Sequence, residues 1–117
     1  MKIYGSAHCL TCLKAKQWLE EKQLSYQFID LDQRELTAKE AKELCGFAEV
    51  QAEQLFATWS QGFKKLEIDL STITKQQLIV LCRTHGDLIR RPLIIIDDVL
   101  FVGFNEPLME KLIVSRE

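Results

Sequence analysis

The sequence predicts an α/β fold in the order strand, helix, strand, helical block, hairpin, helix. Three observations predict it. A short mixed-apolar segment runs straight into a cysteine turn and then an amphipathic stretch; the middle third reads as helix; and two β-branched and aromatic runs flank a polar pair near the end of the chain.

Lys2-Ile3-Tyr4-Gly5 suits a brief first strand. From Leu10 to Lys22 there is no Gly or Pro, and Cys12, Ala15, Trp18 and Leu19 recur at helical spacing with charges opposite. Leu24–Leu31 alternates loosely, and Tyr26, Phe28 and Ile29 favour extended backbone. A helix between two strands implies a parallel pair with a right-handed crossover.

Thr37-Ala38-Lys39-Glu40 has capping-box spacing, so a helix follows to about Cys45 and stops at Gly46. Ala48–Thr58 is helix-compatible, Gly62 breaks the pattern before Phe63, and Ser71, Thr72 or Thr74 caps a helix with Leu78, Ile79, Leu81 and Cys82 on its apolar face, ending near Gly86. Ile89 to Gly103 reads as an antiparallel hairpin around Asp97-Asp98. Asn105 or its neighbours start a last helix with Leu108, Met109, Leu112 and Ile113 facing inward. Together these elements make a thioredoxin-like fold, with a mostly helical insertion between an N-terminal β-α-β part and a C-terminal β-β-α part. At 117 residues one domain is expected, with its core in 1–35 and 88–117 and the insertion at about 36–87. Pro92 stands where such folds place a proline just before the hairpin, close to the cysteine turn, and a cis bond is expected there.

Composition narrows the function. Charged residues make up 27% with a net charge of -2, which gives no electrostatic footprint for nucleic acid or anionic lipid. Direct nucleic-acid binding is not expected, so a DNA-related role would run through a protein. The opening MKIYGSAHC lacks a secretory pattern and no apolar run approaches the roughly 18 residues of a membrane span. A cytoplasmic location without membrane attachment is expected, and the chain as a monomer or weak oligomer. In the reducing cytosol a spaced cysteine pair points to redox or metal chemistry rather than to a structural disulfide.

Cys9 and Cys12, in AHCLTCLK, carry that chemistry. Residues three apart on a helix stand about 5–6 Å apart at Cβ, and small rotations bring their sulfurs to bonding geometry. Partially positive amides at a helix start favour a thiolate, and Lys14 and Lys16 add diffuse positive charge. Cys9 is expected to be the exposed nucleophile and Cys12 the resolving thiol. Two small buried hydrophobes are the plainer alternative. A zinc site would need Cys45 and Cys82 as well, but these sit singly on apolar helix faces and read as core cysteines, so neither a metal nor any other cofactor is expected. His8 reads as solvated and His85 as a helix-end complement. Trp18 reads as core; Trp59 has no evident place. Arg90 and Arg91 before Pro92 form a second constellation, suited to stabilising a thiolate, holding an oxyanion or pairing with an acidic partner; the alternative is a helix-end cation and a solvated neighbour.

CLTC after a first strand, KAKQWLEE in the next helix, IRRPLIII and VGFNE together resemble the Spx group of the arsenate-reductase-like family, over nearly the whole chain. The resemblance implies a redox-sensing regulator that binds the C-terminal domain of the RNA polymerase α subunit, with Cys9 and Cys12 as a dithiol/disulfide switch and Arg91 near it. The other reading it carries is a thiol oxidoreductase of arsenate-reductase or glutaredoxin type. Three departures stand out. Ala48-Glu49-Val50-Gln51 lacks the glycine of the turn with which Spx proteins meet the polymerase. Trp59 stands where the family usually shows an arginine, and Gly103-Phe104 where arsenate reductases place another after the last strand. Each lost charge-assisted hydrogen bond to an oxyanion costs roughly 1.5–3 kcal/mol, so two losses weigh against efficient arsenate reduction and toward a protein without its own catalysis.

Overall fold

The computed structural model describes residues 1–47 and 52–116. Four strands, β1 (Lys2–Gly5), β2 (Gln27–Asp30), β3 (Leu93–Ile96) and β4 (Val99–Val102), form one sheet in the order β2-β1-β3-β4. β1 runs parallel to β2, with Ile3 opposite Phe28, and antiparallel to β3, with Ile3 opposite Ile94; β3 and β4 form the expected hairpin. The polar pair at its tip works because Asp97 takes a left-handed φ of 55°, a conformation that Asp tolerates better than most residues.

The parallel pair is joined by α1 (Leu10–Glu21). Its end shortens the expected second strand. Gln23 adopts a φ of 58°, its N–H donates to Glu20 O, and the Leu24 N–H reaches back to Leu19 O at 3.0 Å. This closing motif uses up Leu24–Tyr26, so pairing begins only at Gln27.

Between β2 and β3 lie α2 (Ala38–Cys45), α3 (Ala52–Leu55), α4 (Gln61–Lys64), α5 (Lys75–Thr84) and a 3-10 turn, Gly86–Leu88. Thr37 and Glu40 form the expected capping box; Thr74, not Ser71 or Thr72, makes the equivalent one with Gln77. Two expectations are corrected. The helix-compatible stretch stops at Leu55, because Phe56 bridges Ile89, with Ala57 N donating to Leu88 O and Arg90 N to Leu55 O. Gly62 is not a breaker but lies inside α4, which Ser60 caps; a Cβ there would stand 3.0 Å from Leu88 Cδ2, so the bare backbone lets the helix approach the 3-10 turn. The expectation for Ala48–Gln51 lies outside the described residues.

The last helix, α6 (Glu106–Arg116), begins where Asn105 Oδ1 accepts the Leu108 N–H. Met109 and Ile113 are buried and Leu112 partly so, but Leu108 is 52% exposed, contrary to expectation. It lies on the flank of the buried stripe rather than within it.

Alternation along the strands sorts the core into two layers. Ile3, Ile94 and Ile96 pack with Ala15, Trp18 and Leu19 of α1 and Met109 and Ile113 of α6. Tyr4, Ile29, Leu93 and Ile95 pack with Leu44, Phe56, Phe63, Leu78 and Leu81 on the insertion's side. Covered on both faces, all four residues of β3 are buried, which explains the unbroken apolar run LIII. Among the described residues no helix is long and apolar enough to cross a membrane.

Candidate functional site

β1 ends at Gly5 and the chain turns through Ser6, Ala7 and His8 into α1. Cys9 is the N-cap, in extended conformation, and its Sγ accepts the Cys12 N–H at 3.3 Å. A sulfur in that position completes one of the amides a helix start leaves free and sits where the helix dipole favours negative charge. Cys9 is half-buried and Cys12 fully buried one turn in; both are free thiols. Burial, helped by its own S–H donated to Cys9, pushes the Cys12 thiol up to about 12, so it stays protonated at neutral pH. The two sulfurs thus differ as expected, one at the opening and one behind it.

Gly5 makes the approach possible. A Cβ on it would fall 2.6 Å from Cys12 Sγ, inside any real contact distance, so the first strand can lie against the buried sulfur only with glycine here.

Arg91 arrives from the opposite side, ahead of the buried Pro92, and the Arg91–Pro92 peptide is cis, as expected. Gly103 N donates to Pro92 O at 2.8 Å, which fixes the loop onto the end of β4. Arg91 Nη1 donates to Asp32 Oδ1 at 2.7 Å and Nη2 to Gly86 O at 3.2 Å. Its charge also favours the Cys12 thiolate, against the larger effect of burial. The Asp32 carboxylate accepts a hydrogen bond from Ser6 Oγ, and Ser6 Oγ accepts the His8 N–H at 3.1 Å. Ser6 O accepts the Cys9 N–H at 3.2 Å. The Ser6 hydroxyl and the Arg91 guanidinium hold the Asp32 carboxyl below its usual range. One polar network therefore ties the cysteine turn to the proline loop.

Of the residues singled out in the sequence, Cys9, Cys12, Arg91 and Pro92 come together. Arg90 does not join them: its guanidinium lies 5.1 Å from the Trp59 ring centroid, a cation–π contact that gives Trp59, 63% exposed, its place. Lys16 likewise sits over the Phe28 ring at 4.5 Å, and His8 is exposed. Gly5, Ser6 and Asp32 were missed. No local signal identifies Asp32, since its partner lies 59 residues away; the glycine abutting a CxxC turn is a signal that could have been used. Cys45 and Cys82 are not single, as expected, but face each other at 4.0 Å. Among the described residues, no three metal-ligating side chains gather.

The chemistry available here is thiol chemistry: a reachable sulfur on a helix cap, a buried partner to close on it, and one cation already paired with a carboxylate. An added oxyanion would have to displace Asp32 from Arg91.

Comparison with known proteins agrees with this geometry. The sequence profile of the ArsC family matches residues 4–112. The chain is 34% identical to the global transcriptional regulator Spx of Listeria innocua over 114 residues, 97% of this chain and 87% of that protein. It is 34% identical to Spx 1 of Bacillus cereus over 104 residues, 89% of this chain and 79% of the relative. Among solved structures, an ArsC family related protein from Bacteroides fragilis superposes with a TM-score of 0.76 at 30% identity, covering 95% of each chain. An arsenate reductase from Vibrio cholerae, at 18% identity and TM-score 0.73 over 97% of both chains, shares the fold. With a thioredoxin-like sheet, a CxxC helix cap and these matches over nearly its full length, the chain belongs to the ArsC family, with Spx proteins among its relatives.

Proposed function

We propose that this protein is an Spx-like transcriptional regulator that reads thiol oxidation through Cys9 and Cys12 and acts by contacting the C-terminal domain of the RNA polymerase α subunit. The observation that carries the redox half is the asymmetry of the pair: Cys9 reachable and capping α1, Cys12 buried behind it and protonated. A peroxide oxidises the Cys9 thiolate to a sulfenic acid, releasing hydroxide. Cys12 then displaces water to form the disulfide. Closing that bond draws the capping sulfur away from the Cys12 N–H and reshapes the first turn of α1, where Leu10 and Leu13 are exposed. The Spx relatives supply the regulatory half of the reading.

The enzyme reading is weaker on physical grounds. Arg91 is bound to Asp32, and the positions where the family resemblance expects two more arginines hold Trp59 and Gly103-Phe104. The test is binding of the purified polymerase α C-terminal domain to the reduced and the oxidised protein, with arsenate turnover measured alongside. Affinity that differs between the two redox states, without turnover, is expected. No binding in either state overturns the partner, and turnover that Cys9→Ser abolishes restores the reductase.

A further inference from the structure

The function proposed above uses two of the four cysteines. The other two meet across the insertion. Cys45 is the last residue of α2 and Cys82 lies in the last turns of α5, and their sulfurs stand 4.0 Å apart in hydrogen-bonding contact. Nothing in the packing demands thiols there: the surrounding residues, Leu44, Leu78 and Leu81 among them, are ordinary apolar core.

We propose that Cys45 and Cys82 form a second thiol–disulfide couple, closed by peroxide, that covalently ties α2 to α5. The burial of the two sulfurs sets their roles. Cys45 is half-buried and open to a small oxidant, whereas Cys82 is 1% exposed and can be reached only from Cys45. In the first step the Cys45 sulfur attacks one peroxide oxygen, the O–O bond breaks, and a sulfenic acid and hydroxide form. In the second the Cys82 sulfur attacks the sulfenic sulfur, the S–O bond breaks, water leaves and the S–S bond forms. Two electrons pass from the thiols to one peroxide, which ends as two waters once both thiol protons are counted.

The electrostatics support this order. The Cys82 S–H donated to Cys45, with the Lys75 charge behind it, holds the Cys45 thiol below its ordinary value; that donation and burial hold Cys82 well above its own. The sulfurs must approach by about 2 Å to bond, within reach of rotation about the two Cα–Cβ bonds.

The wild-type chain tests this directly, because trypsin separates the cysteines: Cys45 falls in the peptide 43–64 and Cys82 in 76–83, away from the peptide that carries Cys9 and Cys12. The protein is treated with hydrogen peroxide, blocked with N-ethylmaleimide under denaturing conditions and digested. The expected result is a linked 43–64/76–83 peptide in most chains, with neither thiol alkylated and recovery on treatment with dithiothreitol. Both peptides alkylated at a dose that empties Cys9 and Cys12 would overturn the proposal, as would sulfinic acid on Cys45 beside a free Cys82. A Cys82→Ala chain, tested in parallel, should accumulate a dimedone-reactive Cys45; a Cys45 that stays inert there also counts against the couple.

Discussion

Arg91 and Asp32, 59 residues apart in the chain, close a salt bridge of 2.7 Å that spans the candidate site from the proline loop to the end of β2. The same carboxylate takes the Ser6 hydroxyl from the cysteine turn. Asp32 thus partly neutralises the one guanidinium that favours the Cys12 thiolate, while Arg90 next door is spent on Trp59.

Opposite shifts in reduction potential follow for the two partners. Arg91→Ala removes a charge that favours the thiolate, so the dithiol form loses stabilisation and the Cys9/Cys12 potential falls. Asp32→Asn leaves Arg91 unneutralised and the potential rises. Each shift is on the order of 10–30 mV, since about 30 mV corresponds to 1.4 kcal/mol for a two-electron couple. Arg90→Ala leaves the potential in place. Equilibration with glutathione buffers measures all three, and shifts of the same sign for Arg91→Ala and Asp32→Asn would contradict the pairing.

Reactivity should divide between the two sulfurs. In the folded, reduced protein iodoacetamide at pH 7.5 is expected to modify Cys9 and to spare Cys12, which is buried and whose thiol stays protonated until about pH 12. Mass spectrometry of Cys12→Ser should still find Cys9 alkylated, and Cys9→Ser should leave the 9–12 region unmodified. Alkylation of Cys12 in native protein would show that the inner sulfur is open to solvent.

Acid should weaken the fold through Glu40. Arg34, bonded to both its oxygens at 2.8 Å, and the Thr37 cap bring its carboxyl down to about 2. A folded value below the unfolded one, about 4.3, gives stability that is full above the unfolded value and lost as pH falls through the folded one. Urea unfolding between pH 5 and 2.5 should therefore show declining stability, and Glu40→Gln a shallower decline. Asp32, held low by Ser6 and Arg91, adds to the same limb with the same sign. Identical slopes for Glu40→Gln and wild type would remove Glu40 from the account.

How far the sequence carries depends on the range of the interaction. Thr37 with Glu40 and Thr74 with Gln77 are three residues apart, and both capping boxes form as their spacing says. CxxC, the LIII run and the proline before it are equally local, and the site's two sulfurs are where they imply. What fails to show is long-range. Asp32 reads as a loop acid because nothing near it in sequence needs it, and Cys45 reads as core because its neighbour belongs to another helix 37 residues on. Gly62 misleads for the opposite reason: its local meaning, a breaker, yields to Leu88 pressing on the place where a side chain would be.

Gly5→Ala joins strand geometry to redox function most directly. The added methyl would overlap Cys12 Sγ at 2.6 Å and stand 3.2 Å from Cys12 Cβ. Relief cannot come from a flexible tip, because Cys12 is buried and short, and β1 is pinned between β2 and β3. Either α1 moves off the sheet or the sulfur rotates away from Cys9. Overpacking of this kind costs about 1–3 kcal/mol, which thermal or urea denaturation measures. The second route predicts something stability alone does not. With Cys12 turned aside, peroxide should leave Cys9 as a sulfenic acid that dimedone traps, where the wild-type chain goes on to a disulfide. A Gly5→Ala protein that folds and closes the Cys9–Cys12 bond as fast as wild type would show that β1 does not set the position of the buried sulfur.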